Sequence, residues 1–93
     1  MFIGSVVFDI YIPHSASLKE KRMVVRSMKE KLKSKFNVSV SEVGELDKWQ
    51  TAQIAVVTVS PDKTQTEKVI QNIINFVEVN YPEIHINIYK EIF

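Results

Sequence analysis

The chain has 93 residues, of which 45% are hydrophobic and 25% charged, and it contains no cysteine. A chain of this size and composition forms one small globular domain, here residues 1–93, and the missing cysteines exclude disulfides and thiolate metal sites. The formal net charge of +1 is unevenly distributed, because the segment from Lys19 to Lys35 holds eight of the twelve basic residues and only two glutamates. Such a basic pole attracts anionic partners.

The first element is predicted to be a strand from Met1 to Ile12, because its apolar residues alternate with polar ones. Asp9 lies inside this run and no basic residue precedes it, so the segment is neither a secretory signal nor a membrane span. Together with the lack of cysteine, this predicts a cytoplasmic protein without membrane contact. One face carries Phe2, Val6, Phe8, Ile10 and Ile12, and the other carries Ser5, Asp9 and Tyr11.

A helix follows, since Pro13 and His14 break the alternation and Ser17 with Glu20 forms a capping-box signature. This helix is expected to reach about Lys35. Two β-rich segments, 37–43 and 50–59, then predict an antiparallel hairpin whose turn opens at Gly44.

Ser60 followed by Pro61 predicts the start of a second helix, with Ser60 as the N-cap, and Asn80 and Pro82 predict its end. A final strand begins at Ile84. The order βαββαβ predicts an α+β fold, the ferredoxin-like two-layer sandwich, in which both helices cover one face of a four-stranded antiparallel sheet.

The other face of that sheet is open in this architecture, and alternation predicts that it is partly apolar. A semi-apolar face is unusual on a monomer, and symmetric dimers are the commonest assemblies, so we expect a homodimer. Cover by a loop and a platform for a ligand or nucleic acid are the alternatives. The residues assigned to the face are Ile3, Val7, Tyr11, His85, Asn87, Tyr89 and Phe93, with Val7, Tyr11, His85 and Tyr89 predicted at the dimer interface.

Five basic residues of the first helix form a continuous ridge beside its apolar stripe, following the spacing i, i+3, i+7, i+10 and i+14. No acidic residue belongs to this ridge. It predicts contacts with the phosphates of RNA or a ribosomal particle, with an acidic protein surface as one alternative and a merely solvated face as another. The members of this basic ridge are Lys19, Arg22, Arg26, Lys29 and Lys33.

Lys21 is set apart, because its position falls within the apolar stripe near the helix start. One interpretation packs the side-chain stem along the core and leaves the ammonium in water. The other makes Lys21, together with His14, a site for an anion beside the loop from Pro13 to Ser17.

Residues that support catalysis are scarce. The two histidines have no carboxylate or second histidine at ligand spacing, and two glycines are too few for a phosphate-binding loop or a KH domain. The third strand lacks the aromatic residues of an RRM. We therefore expect no catalytic residue, metal or cofactor. A small-molecule sensor comparable to ACT domains is disfavoured, because the loop from Pro13 to Ala16 has no glycine.

Three stretches carry a resemblance to a known family: SLKEKR at 17–22, VSEVG at 40–44 and WQTA at 49–52. They resemble the YlxP-like family of small bacterial proteins over essentially the whole chain. The resemblance implies a ferredoxin-like fold, a bacterial cytoplasmic protein and no assigned reaction, and family members are often encoded near genes for transcription and translation factors. That context makes an RNA or ribosome-associated role the favoured hypothesis, beside that of a dimeric protein-interaction module.

Overall fold

The six secondary-structure elements follow one another in the predicted order in the computed structural model, which describes residues 1–93. All strand pairs are antiparallel, and the sheet has the order β2-β3-β1-β4. The ferredoxin-like fold is thereby confirmed. The elements are β1 (Phe2–Tyr11), α1 (Leu18–Lys35), β2 (Ser39–Gly44), β3 (Thr51–Ser60), α2 (Lys63–Asn80) and β4 (His85–Ile92).

The core lies between the sheet and the two helices, as strand alternation predicts. Its largest fully buried side chain is that of Phe8, in the middle of β1, which is paired with Ile54 on β3 and Ile88 on β4. The helices complete the core with Val25, Met28 and Leu32 from α1 and with Ile70, Ile73, Ile74 and Val77 from α2.

The start of α1 was predicted correctly. Ser17 is the N-cap, and its hydroxyl accepts a hydrogen bond of 3.1 Å from the backbone N–H of Glu20. The Glu20 carboxylate accepts from the backbone N–H of Ala16 at 2.6 Å, one residue before the donor that a capping box uses. The amides of Ala16 and Glu20 are therefore bonded to side chains of the same segment.

The start of α2 was predicted wrongly, because Asp62 and not Ser60 is the N-cap. Ser60 is the last residue of β3 and pairs with Phe2, so it stays in the sheet. The Asp62 carboxylate accepts from the N–H of Thr64 at 3.2 Å, and a carboxylate at this position also interacts favourably with the helix dipole.

The loop between β2 and β3 begins one residue later than predicted, after Gly44. The pairing of β2 with β3 is irregular between Glu42 and Gly44, and Gly44 lies opposite Gln53 as the last residue of β2. The left-handed conformation belongs to Glu45, with a φ of 62°, whereas no glycine has a positive φ. The hairpin loop thus turns at a glutamate, a residue type that rarely adopts this conformation.

Gly4 allows α2 to pack closely on β1. A Cβ atom at this position would lie 2.7 Å from Ile70 Cδ1 and 2.8 Å from Thr66 Cγ2. Both distances are shorter than the van der Waals contact between two carbon atoms. Ile70 and Thr66 are themselves buried on α2. At Gly4, the side chains of α2 therefore pack directly against the backbone of β1.

Candidate binding surfaces

The basic ridge lies on the side of α1 near the edge strand β2. Four of its members are exposed, and Lys29 is half-buried. A shallow groove beside the ridge is lined by Arg22, Val25, Arg26, Lys29, Glu30, Lys33 and, from β2, Glu42. The structure therefore brings four of the five predicted residues to one groove, and Lys19 continues the same face toward the helix start.

Little of the ridge's charge is neutralised within the chain. Arg26 Nε lies 3.2 Å from Glu30 Oε1, one helical turn away, and both side chains are largely exposed, so water and salt screen this pair. The other four ridge residues form no ion pair within the chain. Four ridge cations without an ion pair, together with the weakly paired Arg26, are therefore available to an anionic partner.

Two further lysines of α1 face a different direction from the ridge. Lys31 Nζ lies 5.4 Å from the centre of the Tyr81 ring, and Lys35 Nζ lies 5.1 Å from that of Phe76. Both rings are within the range of cation–π contacts. These two lysines lie on the α2 side of α1, away from the ridge.

Lys21 is buried, which neither predicted interpretation anticipated. Its side chain is 0% exposed, and its ammonium donates to Glu42 Oε2 at 3.0 Å and to the backbone carbonyl of Glu45 at 2.8 Å. The expectation that the ammonium reaches water is therefore wrong. An anion at the loop from Pro13 to Ser17 cannot use this charge, because both hydrogen bonds point into the β2–β3 hairpin.

His14 is exposed in the turn that follows β1. Gln50, the residue before β3, holds the loop around His14 in place. Its Nε2 donates to the carbonyls of Pro13 and Ser15 at 3.4 and 3.3 Å. His14 and Lys21 therefore do not form a common site around an anion. No three side chains among His, Asp and Glu come together as ligands for a metal ion.

Across β3, β1 and β4, the open face of the sheet forms five rows of three residues, and the edge strand β2 adds Ser39 and Ser41 beside them. Phe93, in the last row, directly follows β4. We number the rows from the end of the sheet at which β1 leads into α1. From the first to the fifth, the rows are Thr51, Tyr11 and His85; Gln53, Asp9 and Asn87; Ala55, Val7 and Tyr89; Val57, Ser5 and Glu91; and Val59, Ile3 and Phe93.

These rows divide the open face into a polar end and a largely apolar end. The first two rows contain only polar and aromatic residues. The third and fifth rows and Val57 are apolar or aromatic, and Val59 and Phe93 are 55% and 63% exposed. The four residues predicted for a dimer interface are split accordingly, with Val7 and Tyr89 in the third row and Tyr11 and His85 in the first.

The polar end is concave, which sequence reasoning missed. Glu45 closes it from the side of the hairpin loop, and its carboxylate accepts from Lys48 Nζ at 2.7 Å. This hydrogen bond and the charge of Glu45 raise the pKa of Lys48 above its usual 10.5. A left-handed residue in a loop is usually a glycine, which can be recognised in a sequence. Here the left-handed residue at the rim is Glu45, so the sequence contains no such signal.

Comparison with known proteins supports the fold and identifies the family. The chain is 39% identical to the uncharacterized protein YlxP of Bacillus subtilis over 82 residues, which is 88% of each chain. Two designed proteins have similar structures: Foldit4, with a TM-score of 0.58 at 10% identity over 98% of this chain and 97% of that one, and a designed ferredoxin fold determined by solution NMR, with a TM-score of 0.52 at 12% identity over 99% and 85%. These designs show the fold alone.

The family assignment does not depend on those structures. Residues 3–90 match the family described as "Protein of unknown function (DUF503)". This match spans nearly all of the chain, from the start of β1 into β4. The chain therefore belongs to the DUF503 family, together with its bacterial relative YlxP.

Proposed function

We propose that this protein is a non-enzymatic binding module that holds the phosphate backbone of structured RNA, free or in a ribosomal particle, against the basic ridge of α1. The observation that carries the proposal is the ridge itself: five cations on one helical face, four of them without an ion pair. Like charges three and four residues apart repel one another, and bound phosphates relieve that repulsion.

The ridge supports phosphate contacts and no reading of base sequence. Its residues are exposed and lie along an open groove, and no aromatic side chain lines that groove to stack on a base. Contacts of this type position a protein on nucleic acid without specifying sequence. Recognition would therefore depend on RNA shape and on salt concentration.

Fluorescence anisotropy with a labelled structured RNA tests this proposal. The variant carries Arg22→Glu, Lys29→Glu and Lys33→Glu, which leaves the Arg26–Glu30 pair in place. A control with Lys31→Glu, Lys35→Glu and Lys68→Glu has the same net charge but an intact ridge. We expect the control to bind nearly as well as the native protein, because its substitutions lie away from the ridge.

The salt dependence of binding gives a second readout. Each lost phosphate contact lowers the slope of log K against log salt by about 0.7 for single-stranded and about 0.9 for double-stranded nucleic acid. The ridge variant, which lacks three cations, should therefore lose roughly 2 to 3 units of slope. If the ridge variant and the control variant lost the same amount of slope, binding would depend on net charge alone and not on the ridge. Absence of binding by the native protein at low salt would refute the proposal.

A second candidate function is a dimeric protein-interaction module, favoured by the apolar end of the open face. Exposed apolar side chains that adjoin one another are typical of interfaces. A two-fold axis through the fourth row would place the third row of each copy on the fifth row of the other. Light scattering tests this: Val59→Lys should convert a dimer to a monomer, and a monomeric native protein at micromolar concentration would count against it.

The two surfaces do not compete for space. The ridge belongs to the helical layer, and the rows belong to the opposite face of the sheet. A dimer formed through the rows would leave both ridges exposed. Neither α1 nor α2 is long and apolar enough to cross a membrane, and a cytoplasmic location stays a prediction.

A further inference from the structure

The concave polar end of the open face has the features of a small binding site. Its floor is formed by the first two rows, and Glu45 from the hairpin loop forms one wall. No lysine or arginine lines it, although it contains the carboxylates of Asp9 and Glu45. Because Glu45 is already paired with Lys48, the one unpaired charge of the site is the negative charge of Asp9.

Asp9 provides a fixed carboxylate at the centre of this site. Asp9 is half-buried on the middle strand, and its Oδ1 accepts from Gln53 Nε2 at 2.9 Å. That hydrogen bond holds the carboxylate in one orientation, and no cation of the chain pairs with it. Ionised carboxylates that are partly buried are normally paired.

Thr51 adds to the site a polar atom that has no hydrogen-bond partner. The hydroxyl of Thr51 is the one buried side-chain polar atom in the protein that makes no hydrogen bond. Thr51 lines the site and lies beside Tyr11 in the first row. Buried polar atoms are rarely left unsatisfied in native proteins, and such an atom calls for a ligand or water.

Two aromatic rings complete the site. The rings of Tyr11 and His85 are 5.7 Å apart, from paired positions on β1 and β4. Aromatic faces beside a carboxylate suit a planar cation, which can stack on a ring while it donates hydrogen bonds in its own plane.

The rim is held from beneath by the buried lysine of α1. Lys21 donates to the carbonyl of Glu45, whose backbone has the left-handed conformation. Because Lys21 is wholly buried and also binds Glu42, this anchor does not depend on solvent or on a bound partner. Lys21 thereby anchors the backbone of Glu45 at the wall of the site.

We propose that the polar end of the open face binds a guanidinium group. This group is planar, always charged, and presents paired donors that match a carboxylate such as that of Asp9. The hydroxyl of Thr51, after rotation about χ1, and the amide oxygen of Asn87 are further acceptors. A nucleotide fits less well, because its phosphate would approach the unpaired carboxylate of Asp9, and Lys48 is already paired with Glu45.

The experiment is an NMR titration of the 15N-labelled native protein with argininamide, using lysinamide as the matched probe. Both molecules carry the same charge, but only argininamide has the planar, paired donors. We expect saturable shifts confined to the amides of Asp9, Tyr11, Thr51, His85 and Asn87. Lysinamide should bind several-fold more weakly, since an ammonium lacks the bidentate geometry.

Substitutions separate recognition from general charge. Asp9→Asn keeps the shape of the side chain and should weaken argininamide binding by about tenfold or more. Glu91→Gln removes a carboxylate from the same face outside the site, and should have little effect. If Asp9→Asn fails to fold, Thr51→Val replaces it, because this variant keeps the shape of the side chain and removes only an unbonded hydroxyl.

The outcomes decide between a site and a surface. Non-saturating shifts, equal binding of lysinamide, or unchanged binding in Asp9→Asn would each overturn the proposal. A blocked peptide with one arginine between glycines distinguishes the source of the group. Tighter binding of that peptide than of argininamide indicates an arginine side chain of a protein, and weaker binding indicates a free guanidino compound.

Discussion

Lys21 Nζ and Glu42 Oε2 lie 3.0 Å apart, and the lysine side chain is wholly buried while the glutamate side chain is 15% exposed. The pair joins the first turn of α1 to the end of β2. A charge removed from water is tolerated only when its partners compensate for the lost hydration. The hairpin and the helix are therefore coupled through this contact.

Lys21→Met should destabilise the protein by about 3 kcal/mol, because it leaves Glu42 partly buried without its cation. Urea unfolding measures the effect as a lower midpoint with an unchanged m-value. Lys19→Met, two residues earlier on the helix and exposed, is the control and should change little. Adding Glu42→Leu to Lys21→Met should restore part of the loss, since both charges are then absent from the interior. A loss below about 1 kcal/mol in the single variant would contradict the coupling.

Gly4→Ala should destabilise the protein by about 1–3 kcal/mol, because the new methyl group overlaps buried atoms of α2. Ile70→Val removes the Cδ1 atom that lies nearest, and should by itself cost about 1 kcal/mol. The double variant should be more stable than the sum of the two losses predicts. Thermal unfolding of all four proteins gives the coupling energy. Strict additivity would mean that the strand and helix separate to admit the methyl group.

Replacement of Asp62 tests which residue begins α2. Asp62→Ala should cost about 1 kcal/mol, because the N–H of Thr64 loses its acceptor. Asp62→Asn should remain close to the native stability, since asparagine caps as well as aspartate. Denaturant unfolding compares the two. Equal losses in both variants would show that the charge of Asp62 matters rather than its cap.

Lys48 in the hairpin loop should lose its proton at a higher pH than an ordinary lysine. The hydrogen bond and charge of Glu45 raise the pKa of Lys48 above 10.5, so the pair stabilises the loop below that pH. The stabilisation is lost as the pH rises through the raised pKa. NMR titration of the Lys48 side chain measures this value, and Glu45→Gln should bring it back toward 10.5. The same pKa in both proteins would mean that the pair does not persist in solution.

The order of the strands and helices was predictable from sequence because it depends on local patterns. Residues two apart in β1 share a face, so the polar Asp9 between the apolar Phe8 and Ile10 already indicated which side met the core. Ser17 and Glu20 marked the start of α1 for the same reason, since cap and helix are neighbours in the chain. The ridge of α1 follows from helical spacing alone.

Features that depend on distant residues were not predictable in the same way. Ser60 and Asp62 are both good N-caps, and only the pairing of Ser60 with Phe2 assigns it to the sheet. Lys21 meets partners 21 and 24 residues further along the chain. The polar end of the open face requires the register of three strands and a left-handed Glu45, none of which leaves a local signal.

The position of β1 in the sheet has a consequence for how the protein folds. Tyr11 pairs with Thr51 on one side and with His85 on the other, so both neighbours of the first strand come much later in the chain. On the ribosome, β1 emerges before either partner exists. We therefore expect folding to wait for β4 and then to proceed in one cooperative step, more slowly than in helical proteins of similar length.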